Sequence, residues 1–213
     1  MKLYVCWGTF PTPRPGGHPC ANAHRALTEA GHDHEVIRSY GFAPLPAALN
    51  QTRGRREVQE LTGNRWVPTL VLDDGRTLAE SNAIIFHFAE GTQYLPEDSF
   101  ERAQVLQWLF FEQYSHEPNI AVARFWALFD VSPPSAADYE LKMKAGGAAL
   151  QAMDAHLTDR PYLVGDRYTI ADIALYAYTH VAPEGGFELE PYPAIRAWIQ
   201  RVMGQPGHVP ITA

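Results

Sequence analysis

Cys20 stands two residues after His18, at the head of a segment in which Ala23, Ala26 and Leu27 recur at helical spacing. A thiol in the first turn of a helix feels the positive end of the helix dipole and ionises more readily than a free cysteine. Cys20 is therefore a candidate for thiolate chemistry or for a hydrogen bond to another sulfur, against the plainer reading of a small buried side chain. Cys6 closes an apolar run and is expected in the core. Ser81 precedes Ile84, Ile85 and Phe88, a spacing that predicts a helix opened by the serine. The N–H groups at such a start suit a carboxylate ligand, although the same serine also suits a plain N-cap. Arg53, Arg55, Arg56 and Arg65 lead toward Pro68, and one guanidinium among them offers a carboxylate two parallel hydrogen bonds. A solvated helix face is the expectation for the others. His32-Asp33-His34 has alternate-histidine spacing without a third ligand nearby, so no metal site is expected.

The elements that must position these residues follow from periodicity and turn chemistry. Residues 3–7 and 35–38 form short runs rich in β-branched and aromatic side chains, with the Cys20–Leu27 helix and Gly31 between them. That order predicts a β-α-β unit with parallel strands. Val58 and Leu61 belong to a short helix stopped by Gly63, a strand runs from Trp66 to Leu72, and Asp73-Asp74-Gly75 turns it into Thr77–Ala79. The order through residue 90 is βαβαββα.

After Gly91 the pattern is helical throughout. Asp98 followed by Glu101 starts a helix whose apolar positions Val105, Leu106, Leu109 and Phe110 continue toward Phe129, with a kink at Pro118. Ser132-Pro133-Pro134-Ser135 is a connector, and the next helix spans about Ala136 to Leu157, its Gly146-Gly147 pair available for close packing. Thr169-Ile170-Ala171-Asp172 carries a capping signature, flanked by Tyr168 and Ile173 as a hydrophobic staple. A last helix is predicted from about Pro193 to Met203. The predicted domains are thus residues 1–90 and residues 91–213.

Composition excludes several classes. The chain has 213 residues, two cysteines and a formal net charge of −7. Residues 1–90 balance nine basic against nine acidic side chains, whereas residues 91–213 carry eight against fifteen. Neither half offers the clustered cations that a phosphate backbone needs, so nucleic acid is not an expected partner, and an anionic small molecule fits the first half better than the second. No apolar run approaches the roughly 18 residues of a membrane span. Two unpaired thiols and no export signal at the start point to a cytoplasmic location.

The whole pattern resembles a cytosolic glutathione transferase of bacterial type. Val67-Pro68 stands where that family has its Val-cis-Pro turn, Glu80-Ser81-Asn82-Ala83-Ile84 matches its Glu-Ser-x-Ala-Ile segment, and Thr169–Ile173 matches its helix-capping segment. Trp108 to Pro118 is similar to the fourth helix of bacterial members. The stretch Glu60–Pro68 also resembles glutaredoxins, with the Cys-Pro-x-Cys of that family falling on Gly17-His18-Pro19-Cys20, where only the second cysteine remains. The loop Gly8–Gly17 is longer than in ordinary transferases, and none of the usual transferase nucleophile-activating residues can be placed in it.

The resemblance implies a thioredoxin-like glutathione-binding domain at residues 1–90, an all-helical second domain, glutathione as co-substrate, no metal, and a homodimer. It implies that Ser81 binds the γ-glutamyl carboxylate, Glu80 the adjacent amino group, and the backbone of Val67 before Pro68 the cysteinyl part, with Cys20 near the sulfur. Trp108, Phe110, Phe111, Tyr114, Phe125 and Trp126 are candidates to line an apolar substrate pocket, with core or dimer interface expected for most of them and substrate contact for a minority. The implied activity is conjugation of the glutathione thiolate to an apolar electrophile, a detoxification reaction. The alternatives are a glutathione-dependent disulfide oxidoreductase and a non-catalytic binding module of the same fold.

Overall fold

The computed structural model describes residues 1–6, 31–33, 35–39, 53–63, 67–128, 132–206 and 208, with the backbone alone at 4–6, 36–39 and 53–55. Two compact units divide the chain, Met1–Glu90 and Gly91–His208.

The first unit is built on a four-stranded sheet of order β2-β1-β3-β4, from β1 (Lys2–Cys6), β2 (Glu35–Ser39), β3 (Thr69–Val71) and β4 (Thr77–Ala79). β1 and β2 run parallel, Lys2 opposite Glu35, while β3 lies antiparallel to both β1 and β4. Helix α1 (Arg53–Thr62) lies between β2 and β3 in sequence, and α2 (Ser81–Ala89) follows β4. Leu3, Val58, Leu70, Ile84 and Ile85 are buried and form the core of this unit. The Asp73-Asp74-Gly75 turn is where its chemistry placed it. Gly75 takes the left-handed φ of +85° that the hairpin requires, and Asp74 Oδ1 accepts from the Arg76 N–H at 3.0 Å. β3 is shorter than the predicted Trp66–Leu72 strand, because Val67 and Pro68 form a bend at its start: proline has no N–H to contribute to a ladder. The predicted helix after Cys20 falls outside the described residues.

The second unit is helical: α3 (Ser99–Phe111), a wide π turn (Glu112–His116), α4 (Glu117–Leu128), α5 (Ala136–Leu157), α6 (Ile170–Thr179), a short 3-10 turn (Ala182–Gly185) and α7 (Pro193–Met203). The single helix expected from Asp98 to Phe129 is therefore two helices. A proline at 118 removes the N–H that would reach the Tyr114 carbonyl, and its ring crowds that carbonyl. The backbone responds before the proline by widening, so that the Glu117 N–H bonds to the Glu112 carbonyl, five residues back.

Every residue of α6 is buried, and Asp172 is the hub of its surroundings. Its Oδ2 accepts from the Thr169 N–H at 2.9 Å and the Thr169 hydroxyl at 3.2 Å, while Oδ1 accepts from the Leu163 N–H at 3.0 Å and the Trp198 indole at 2.8 Å. Burial raises the carboxyl to about 6, against the opposing pull of these four donors. One side chain thereby joins the start of α6, the preceding loop and α7.

The glycine pair in α5 divides in role. A Cβ at Gly146 would lie 2.5 Å from Phe187 Cζ and 3.3 Å from Ile120 Cγ1, whereas one at Gly147 would meet nothing within 4 Å. Gly146→Ala is expected to lower stability by about 1–3 kcal/mol through overpacking, despite its better helix propensity. Gly147→Ala is expected to raise stability by about 0.5–1 kcal/mol. Urea unfolding of the two variants checks the opposite signs; equal effects would contradict this packing.

Candidate functional site

Sheet register assembles the site. Thr69 pairs with Ala79 in the antiparallel β3–β4 ladder and with Tyr4 in the β3–β1 ladder. Pro68 and Val67 lie one and two positions beyond Thr69, Glu80 and Ser81 one and two beyond Ala79. The two motifs, a dozen residues apart in sequence, thus leave the sheet at one edge. The carboxyl end of β1, at Cys6, leaves at the same edge, and carboxyl ends of strands are where open α/β sheets bind ligands.

The Val67–Pro68 peptide bond is cis. Pro68 is buried and Val67 half-buried. The cis bond bends the chain just before β3, so the Val67 N–H and C=O stand outside the ladder that begins at Thr69. On the facing segment Glu80 has φ 70° and ψ 120°, the one positive-φ residue other than glycine among the described residues. A glutamate held there carries about 1–3 kcal/mol of backbone strain, and such strain concentrates at ligand sites.

Glu80 is the residue that caps α2, and its side chain makes no capping hydrogen bond; the first backbone bond of the helix runs from the Ile84 N–H to the Glu80 carbonyl at 3.0 Å. Ser81 is accordingly the first residue of the helix rather than its N-cap. Three other helices differ, while the cap residue of α7, Tyr192, resembles Glu80 in making no side-chain capping bond. Asp98 caps α3 through Phe100 and Glu101, Ser135 caps α5 through Asp138, and Thr169 caps α6. At α2 the positive end of the helix points out of the sheet edge beside Ser81, the arrangement that accepts a carboxylate.

The remaining sequence-derived positions separate. Cys20, His18, the loop Gly8–Gly17, His34 and Arg65 lie outside the described residues, as do the side chains of Cys6, Arg53 and Arg55. Arg56 is exposed on α1. His32 packs its ring against Phe88 at 4.6 Å. Among the described residues no cluster of His, Cys, Asp or Glu has the grouping to hold a metal ion. The aromatics expected together on one helix are dispersed. Trp108 is buried, 5.2 Å from Phe111 and 4.8 Å from His156, whereas Phe110 and Tyr114 are exposed and Phe125 and Trp126 sit on α4. Sequence reasoning missed the backbone of Glu80, for which glutamate gives no signal, and the buried Arg124, which pairs with Glu184 at 2.7 Å.

Residues 19–90 match the model of the glutathione S-transferase N-terminal domain, and residues 107–206 that of the C-terminal domain. The chain belongs to the glutathione S-transferase family. It is 40% identical to a glutathione S-transferase of Xanthobacter autotrophicus Py2, with 99% of this chain and 96% of that one aligned at a TM-score of 0.84. A sphingomonad glutathione S-transferase solved in complex with glutathione is 26% identical, with 97% and 94% covered and a TM-score of 0.74. The disulfide-bond oxidoreductase YfcG of Escherichia coli K12 is 28% identical, with 91% of this chain and 88% of that protein covered. The fold is that of the family, with a small sheet beside helices in the first unit and helices alone in the second.

The Glu80 backbone yields a prediction that separates function from stability. Glu80→Gly removes the strain of a left-handed glutamate, so its thermal midpoint is expected to equal or exceed that of the wild type, while glutathione affinity falls by at least tenfold. A loss of stability with unchanged affinity, read by calorimetry, would reverse the assignment.

Proposed function

We propose that this member of the family is a glutathione transferase in which Glu80 and Ser81 hold the γ-glutamyl end of glutathione and the Val67 backbone pairs with its cysteinyl part. The observation that carries this reading is the convergence at one sheet edge of the cis Val67–Pro68 bend and the start of α2, whose cap residue Glu80 has a positive φ. The carboxylate of the ligand meets the helix start and the Ser81 hydroxyl, and Glu80 offers its own carboxylate to the ammonium. The cysteinyl amide finds a donor and an acceptor at Val67, as an added strand would. Conjugation then joins the glutathione sulfur to an electrophilic carbon while the leaving group departs with the bonding pair. Glutathione's thiol is too weak an acid to be mostly thiolate at neutral pH, so a donor near the sulfur must favour the ionised form. Cys20 is the proposed donor, and Pro68 keeps the Val67 backbone turned to the ligand.

A disulfide oxidoreductase is the second reading, favoured by the likeness to YfcG. Under it Cys20 attacks or resolves a mixed disulfide, a step in which serine cannot replace it. Assays with a chloronitrobenzene acceptor and with a glutathione mixed disulfide separate the two. The transferase reading expects conjugation to survive in Cys20→Ser at a modestly reduced rate. Disulfide reduction in the wild type, abolished by Cys20→Ser, would decide for the oxidoreductase. Neither activity would leave a binding module of the same fold. Ser81→Ala is expected to weaken glutathione binding ten- to a hundredfold, about 1.5–3 kcal/mol for a hydrogen bond to a charged group. Unchanged affinity in titration calorimetry would remove Ser81 from the site.

A homodimer in the cytoplasm, serving detoxification, completes the proposal. Leu106, Phe110 and Tyr114 follow at four-residue intervals along α3 and the π turn, and Phe110 and Tyr114 are 69% and 87% exposed. An apolar face of this kind fits a two-fold interface with a second copy. Among the described residues no helix is long and apolar enough to cross a membrane. Sedimentation at micromolar concentration is expected to give twice the 23.8 kDa chain mass; a monomer would overturn the dimer.

A further inference from the structure

The π turn of the helical unit holds an arrangement that glutathione binding does not use. His116 is fully buried, and its Nε2 lies 2.8 Å from the Thr179 hydroxyl. That hydroxyl gives its one proton to the Leu175 carbonyl at 2.6 Å, with Met153 Sδ at 4.0 Å as a weaker neighbour. Toward His116 it must therefore accept, which places the imidazole proton on Nε2 and leaves Nδ1 as a bare lone pair. Among the described residues, buried Nδ1 has no hydrogen-bond partner. The turn packs against α3, α4, α5 and α6. The ionisable groups of the turn and these helices, Glu112, Glu117, Arg124, His156 and Asp172 among them, make no hydrogen bond or ion pair to the imidazole. Asp172 is committed to Thr169, Leu163 and Trp198, and Arg124 to Glu184. A second proton on this ring would create a buried cation with a donor and no acceptor at Nδ1.

We propose that the turn Glu112–His116 is an acid-released lock: the uncharged imidazole fastens the widened backbone to Thr179 of α6, and protonation at Nδ1 expels it and loosens the helical unit. Burial agrees, holding His116 down to about 3 from its usual 6.5. Between those values the unfolded chain binds the proton and the folded chain does not. Stability from this group is therefore complete above 6.5 and falls as pH falls toward 3. Asp172 acts in the opposite direction. Its folded carboxyl titrates near 6 instead of 3.8, so acidification through that window favours the folded form and masks part of the His116 effect.

The test compares the full-length wild type with His116→Gln, whose side-chain amide keeps an N–H donor toward Thr179 but does not titrate. Urea unfolding at pH 7.5 and pH 4.5 is expected to show the wild-type unfolding constant rising about a hundredfold more than that of the variant, about 2.7 kcal/mol at 1.36 kcal/mol per tenfold. The Asp172 contribution is common to both proteins and cancels. Parallel profiles would overturn the lock. Nitrogen-15 histidine spectra of the wild type give an answer that needs no variant: a neutral ring protonated at Nε2 is expected at pH 5, and titration of His116 near 6.5 would refute the proposal.

Discussion

The leading amides of a helix have no acceptors within their own helix, and most of this fold can be traced to how each start finds them. Asp98, Ser135 and Thr169 supply side-chain oxygens at their own helix starts. Asp172 returns the favour at α6, accepting from the Thr169 N–H, and extends the same carboxylate to Leu163 and Trp198. At α7 the acceptor comes from another helix, Asp154 of α5 taking the Ile195 N–H at 3.0 Å. These caps orient helices as well as start them, because an acceptor borrowed from a neighbour holds that neighbour at a set position. Helix α2 breaks the pattern. Its cap residue, Glu80, supplies no side-chain acceptor, and the start leaves the sheet beside a cis-proline bend, where the proposed ligand carboxylate would do what Asp and Thr do elsewhere.

The helical unit shows a second constraint, the accommodation of groups that a regular helix cannot hold. Pro118 would leave one carbonyl without its donor and crowd it, and the chain answers by widening at Glu112–His116. The widened turn carries His116 into the interior, where its Nε2 lies within hydrogen-bond distance of the Thr179 hydroxyl. On the facing α5, Gly146 admits the Phe187 ring to within what a methyl group would occupy. A helix former at 146 or an ordinary turn at 112–116 would each be locally more favourable. Both are displaced by close packing, which rewards complementary shape over single-residue propensity.

Much of the fold was legible because local rules acted without opposition. The expected spans of about Ala136–Leu157 and about Pro193–Met203 agree with α5 and α7, the Asp73-Asp74-Gly75 turn located the hairpin, and Thr169 with Asp172 located the start of α6. Legibility failed where two rules met at one place. The apolar run Trp66–Leu72 predicts a longer strand than the three residues of β3, because a proline inside it ends the ladder on one side. The run of aromatics from Trp108 to Trp126 predicts one helix, yet the helical phase changes across the π turn, so that neighbours in the pattern face different surroundings.

The sequence by itself determined which residue types were available to the site: a proline after Val67, a glutamate and serine before an apolar helix, and the capping segment at Thr169. Those depend on short-range sterics and hydrogen bonding, which a window of a few residues contains. Only the tertiary structure decided that Val67-Pro68 and Glu80-Ser81 share an edge, since that rests on Thr69 pairing with Ala79 and on nothing within either motif. It also decided that Glu80 takes a left-handed backbone and that His116 is held below the usual imidazole range. Both are imposed from outside the residue, the first by the junction of strand and helix, the second by burial beside a hydroxyl sixty-three positions away. Long-range pairing and desolvation are properties of the packed chain, and no spacing of residues along the sequence encodes them directly.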